Sequence, residues 1–166
     1  IDGVTLGEKN QVDWTLGEGA ATSASIDFQL GPAASTLSVV DTDSVVDFAS
    51  GSVTGSLSWP GSPLDVALGR LYGDVKLELN KGSFLPVSSQ ATGPLRFISV
   101  FNLAGLVQRA NVNQLFDPGL TFDKAKGVLA LDGERVMINE FSIRNGGGRL
   151  DLGGNFDIAS EVIDAE

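Results

Sequence analysis

The chain has 166 residues, 42% of them hydrophobic and 19% charged, enough apolar side chain for a packed core and a composition unlike that of a disordered protein. Its formal charge is −10, from 21 acidic and 11 basic residues, with no basic stripe to neutralise phosphate, so no nucleic-acid partner is expected. Histidine and cysteine are both missing from it, which removes the commonest general base, the commonest transition-metal ligand, thiolate nucleophiles and disulfides.

These exclusions favour binding over catalysis: no enzyme activity, no catalytic residue, no metal and no cofactor is expected. A carboxylate-based hydrolase would need two acids converging in a pocket; Asp123 and Glu134 are a pair that can be proposed, though their spacing does not favour them. No stretch reaches the ~20 apolar residues that span a bilayer, and no charged and apolar leader opens the chain. The first residue is not methionine and the last four, Ile163 to Glu166, read as strand, so the chain is expected to be a fragment of a larger protein.

In chain order, residues 1–54 read as short strands. Val12, Trp14 and Leu16 share one parity, as do Ile26, Phe28 and Leu30, the alternation of strands with one buried face. Gly17-Glu18-Gly19 and Gly31-Pro32 are turn signals. Leu37 to Val40 and Ser44 to Phe48 are shorter strand candidates. Val53, Leu57 and Trp59 line one side of the next strand, which Pro60 ends or confines to an edge.

Residues 55–91 read as hairpins. Leu64 to Leu68 is a further alternating run; Val75, Leu77 and Leu79 face one way while Lys76, Glu78 and Asn80 face the other. Lys81-Gly82 is expected to turn the chain, with Phe84-Leu85 beginning the return. At Thr92-Gly93-Pro94 the period lengthens. Threonine near the cap and proline at the first position start a helix over 94–110, apolar on most sides. Phe97, Ile98, Phe101, Leu103 and Leu106 are its candidate contact surface, either a plug on a sheet or a lipid contact.

Residues 119–166 read as hairpins again. Leu129 and Leu131 precede a turn at Asp132-Gly133, and Val136 and Ile138 return. The parity then shifts to Phe141 and Ile143, which requires a bulge near Asn139-Glu140 or a change of face. Asn145 to Gly148 is a glycine turn rather than a phosphate loop, because Arg149 to Leu152 is strand and no lysine with Ser or Thr follows the glycines. Gly73–Leu85 and Gly127–Ile138 echo one another as glycine, strand, turn and return.

The fold class expected from the pattern is mainly β: a long antiparallel sheet with one apolar face and one apolar helix. The candidate groove wall is Val75, Leu77, Leu79, Leu129, Leu131, Phe141, Ile143, Leu150 and Leu152. Alternation shows that a face is buried without showing what buries it. A groove open to a ligand and a sandwich core under a second sheet, as in a non-lipid scaffold or interaction module, both satisfy the pattern.

The ordered set of Trp59-Pro60-Gly61-Ser62-Pro63, the 73–82 segment, the apolar helix, Gly119-Leu120-Thr121-Phe122-Asp123 and the closing hairpins resembles the C-terminal region of AsmA-like proteins of the YhdP type in Gram-negative bacteria, within the AsmA/TamB class of bridge-like lipid-transfer proteins. The resemblance runs from Gly55 to the end, and the earlier residues match in style only. It implies that residues 1–166 form one AsmA-like groove segment, an elongated, curled antiparallel β-sheet with an apolar groove, in a parent anchored in the inner membrane. Such a segment would be periplasmic, with phospholipid as ligand and with an unidentified outer-membrane or periplasmic partner. It would shield acyl chains during transport from the inner to the outer membrane. The family has no established catalytic residues to carry over.

Overall fold

The computed structural model describes residues 3–37, 46–84, 121–157 and 162–165. Nine strands make up its single sheet: β1 (Val4–Leu6), β2 (Gln11–Thr15), β3 (Ala21–Leu30), β4 (Val46–Pro60), β5 (Tyr72–Phe84), β6 (Thr121–Asp132), β7 (Arg135–Asn145), β8 (Gly148–Asp157) and β9 (Val162–Ala165). Every pairing is antiparallel. The order follows the chain from β3 to β9, with β1 and β2 sharing the outer edge of β3, so the sheet is open rather than closed into a barrel. The mainly β, antiparallel architecture expected from the alternation is the one observed. One short α-helix, α1 (Ala33–Leu37), and a 3-10 turn at Leu68–Arg70 accompany it among the described residues.

The turns explain the meander. Gly17 and Gly19 take positive φ between β2 and β3, and Gly133, at φ 62°, lets a two-residue connection join β6 to β7. Between β7 and β8 the Asn145 Oδ1 accepts from the backbone N–H groups of Gly147 and Gly148, both at 2.9 Å. All three were legible as turn signals.

Several expectations are corrected. Lys81-Gly82 does not turn the chain: β5 runs through to Phe84, and Lys81 (φ 51°) is a kink within it. Residues 73–84 are therefore one strand, and their echo with 127–138 is not an echo of two hairpins. The kink crosses three strands, because Ala49, Lys81 and Asp123 are all skipped in the pairing of β4, β5 and β6. Beyond it, Phe48 and Phe122 turn to the side of Leu79 and Ala125, which strict alternation would deny them. For the same reason, residues 46–48 of the candidate at Ser44–Phe48 and the run through Trp59 belong to one strand, β4, with its face exchanged near Ala49-Ser50; 44 and 45 lie outside the described residues.

Leu64 to Leu68 is not a strand either. Pro60 and Pro63 lack the N–H groups a ladder needs, and Asp65 Oδ2 draws the chain back by accepting from the Ser62 N–H and hydroxyl, both at 2.8 Å. Leu64 is 92% exposed there. At Leu37 the chain is helical, ending α1 where a strand was expected to begin; 38–40 lie outside the described residues. The helix expected at 94–110, with Phe97, Ile98, Phe101, Leu103 and Leu106, also lies outside them.

The core sits at one end of the sheet. Ala33 of α1, Val46, Phe48, Leu79, Phe122, Ala125 and Ile143 are buried together, with Leu30, Leu77, Phe141, Leu150 and Leu152 packed against them. Thr36 fastens α1 to the sheet by donating its hydroxyl to the Gly3 and Gly31 carbonyls at 2.9 and 3.1 Å.

Candidate functional site

Antiparallel pairing puts residues that stand opposite one another on the same face, and the observed register sorts apolar from polar side chains almost completely. One face carries four rows: Leu30, Gly51, Leu79, Ala125, Ile143 and Leu150; Phe28, Val53, Leu77, Gly127, Phe141 and Leu152; Ile26, Gly55, Val75, Leu129, Ile138 and Gly154; and Ala24, Leu57, Gly73, Leu131 and Val136. At ~4.8 Å per strand and ~3.4 Å per residue this field measures roughly 24 Å by 20 Å.

The parity change at Ile138–Phe141 is a bulge and not a change of face. The register slips by one on both sides of β7, between Val128 and Leu129 of β6 and between Ile138 and Phe141 toward β8. Without that extra residue Phe141 and Ile143 would stand on the polar side.

All nine expected wall residues share this face. They differ in burial. Leu79 and Ile143 are interior, at 5% and 0% exposure, and belong to the packed end. Val75, Leu77, Leu129, Leu131, Phe141, Leu150 and Leu152 are half-buried, each still offering surface to solvent. All described strands lie in the one sheet, so none of them forms a second layer over this surface.

The opposite face is polar, with rows such as Ser52, Glu78, Lys126, Ser142 and Asp151. Glu78 bridges Lys124 at 2.6 Å and Lys126 at 3.0 Å. Their hydrogen bonds to its carboxylate, Lys124 first, hold Glu78 below the ordinary glutamate range. Asp65 is likewise lowered, chiefly by the Ser62 backbone N–H and then by the Ser62 hydroxyl.

Two apolar features were missed or misread in the sequence. A shallow notch of about 290 Å³ opens where β1 gives way to β2, lined by Leu6, Val12, Ala24, Ile26 and Phe28. Asn10 holds it open: its carboxamide donates to the Asp27 carbonyl at 2.7 Å and accepts from the Asp27 N–H at 2.9 Å, replacing a strand residue at the gap. Only a lone asparagine between two alternating runs marked it. The second feature is β2 itself. Its alternation predicted a buried side, yet Val12 and Trp14 are 60% and 50% exposed, because an edge strand has a neighbour on one side only.

The carboxylate pair is not a site. Asp123 and Glu134 are exposed near opposite ends of β6, roughly 30 Å apart at ~3.3 Å per residue. Among the described residues no cluster of acidic side chains is suited to a metal ion, and no helix is long and apolar enough to cross a membrane.

The family model of the YhdP protein matches residues 5–166. The chain belongs to the YhdP family. The match takes in β1 to β4 as well, so family membership extends over the first fifty residues, where resemblance by motif had been weakest. No curated protein and no solved structure matches the chain.

Proposed function

We propose that this YhdP-family chain is a segment of a lipid conduit, in which the apolar face of β3–β8 shields phospholipid acyl chains while head groups remain in water. The observation that carries the reading is the half-burial of seven wall residues in unbroken rows on one face, with no second layer among the described strands. A scaffold core would bury them as fully as Ile143.

The energetics suit passage along a surface. Each methylene removed from water contributes about 0.8 kcal/mol, so an acyl chain of roughly fifteen methylenes gains on the order of 10 kcal/mol. Adjacent rows offer Leu, Val, Ile and Phe in similar density, so moving from one row to the next exchanges equivalent contacts. Nothing in such a surface sets a direction; a gradient or a partner must. The face performs no bond chemistry, in keeping with a chain without histidine or cysteine. Placed in a parent anchored in the inner membrane, the segment would act in the periplasm, carrying phospholipid toward the outer membrane.

Organic extraction of the purified chain followed by mass spectrometry tests this. Co-purifying phospholipid, lost when Leu77 and Leu131 are replaced by lysine in a protein that stays folded, is the expected result. Recovery of no phospholipid, with the same variants unfolded, would establish an ordinary core.

A further inference from the structure

The polar face holds one row unlike its neighbours. Ser50, Asn80, Lys124, Arg144 and Arg149 stand opposite one another in succession across β4 to β8. Every member carries a hydrogen-bond donor, and the last three are cations. Like charges directly opposite one another on a sheet destabilise the pairing. The chain has only 11 basic residues against 21 acidic ones, yet three of the 11 share this row, and Lys126 lies beside it in the next.

Local carboxylates leave this charge half balanced. Glu78 bridges Lys124 and Lys126, and Asp151 takes Arg149 at 2.6 Å. Glu140 belongs to the row beyond, with Thr54, Lys76 and Val128. Four cations face two carboxylates. Arg144, exposed between Lys124 and Arg149, has no carboxylate partner among the described residues.

We propose that this row is an anion site that takes phosphate groups. At ~4.8 Å between strands, Lys124 and Arg149 lie about 10 Å apart with Arg144 between them. That spacing fits a phosphate seated on the Arg144 fork and touched from either side. Guanidinium groups bind phosphate bidentately, with Lys124 adding a point charge. A bound phosphate would also relieve the repulsion that the row otherwise carries. The site lies on the face opposite the apolar field and stands whether or not that field holds lipid.

The test is an NMR titration of the intact chain at low salt, following the Nε–H signals of Arg144 and Arg149. Inorganic pyrophosphate presents the free anion; short-chain phosphatidylglycerol, with phosphatidylcholine as the zwitterionic control, presents the head group. Saturable shifts at both arginines are expected with at least one source, and the tighter of the two identifies the natural form. Arg144→Gln should weaken binding about fivefold or more, the scale of one exposed charge contact, and Arg144→Lys, which keeps the charge but loses the bidentate fork, should fall between the unaltered chain and Arg144→Gln. Added salt should weaken it further. Absence of a saturable shift with either source, or unaltered binding by a folded Arg144→Gln, overturns the site. Arg149→Gln repeats the comparison should Arg144→Gln fail to fold.

Discussion

The ring of Phe141 lies against Gly127, its direct partner across β6 and β7, so that a Cβ added to the glycine would stand 3.0 Å from Phe141 Cδ2 and 3.5 Å from Cε2. The pair exchanges a missing side chain for an aromatic cover. Gly127→Val should therefore lower stability by about 1–3 kcal/mol despite the strand preference of valine, because the ring must move. In a Phe141→Ala background the same substitution should cost about 1 kcal/mol less. Urea denaturation of the four proteins measures the coupling, and additive effects would refute the contact.

The face contains two kinds of apolar residue, and substitution should separate them. Ile143→Ala, at the buried end, should cost about 2–4 kcal/mol. Leu131→Lys should cost about 1 kcal/mol or less, since the half-buried site lets the ammonium reach water while the stem stays on the face. Thermal unfolding of both variants distinguishes packed core from open wall. Equal losses would mean that Leu131 is core as well.

Glu78 gives the polar face an acid dependence. Its carboxyl is held below the ordinary glutamate value of 4.5, so its ion pairs stabilise the folded chain above that pH. The contribution fades as pH falls through the lowered value, where the carboxylate takes up a proton. Both partners are partly exposed, so the effect should be under about 1 kcal/mol and should shrink in high salt. Glu78→Gln should flatten the acid limb of a stability-against-pH curve without altering the plateau of its slope near neutrality. An acid limb identical in the variant would remove Glu78 from the account.

The two tryptophans report different ends of the design. Trp59 is 7% exposed and donates its indole N–H to the Ser62 carbonyl at 2.9 Å, whereas Trp14 is 50% exposed on the edge strand. Acrylamide quenching should resolve one accessible and one protected population, and Trp14→Phe should remove the accessible one. Loss of the protected population instead would place the 59–62 corner in solvent.

Fold class was legible because alternation and glycine punctuation are local properties. Val75, Leu77 and Leu79, or Leu129 and Leu131, need only their own strand to declare which face they share. The candidate wall was readable for the same reason. The kink at Lys81 was not, since Lys-Gly is a turn signal in isolation; twelve pairings with β4 and eleven with β6 hold β5 straight through it. Leu64 to Leu68 erred in the opposite direction, as its alternation pairs with no strand among the described residues.

The sequence by itself determined that the chain meanders in β-structure, that one face is apolar, and that a parity problem exists at Asn139-Glu140. Only the tertiary structure decided how that problem is resolved: one extra residue in β7 keeps Phe141 and Ile143 on the face of Ile138. It also divided the apolar face into a closed end and an open field, and aligned Lys124, Arg144 and Arg149 in a single row. Those facts depend on register between strands distant in sequence, and register is set by pairing partners and bulges that no single strand contains.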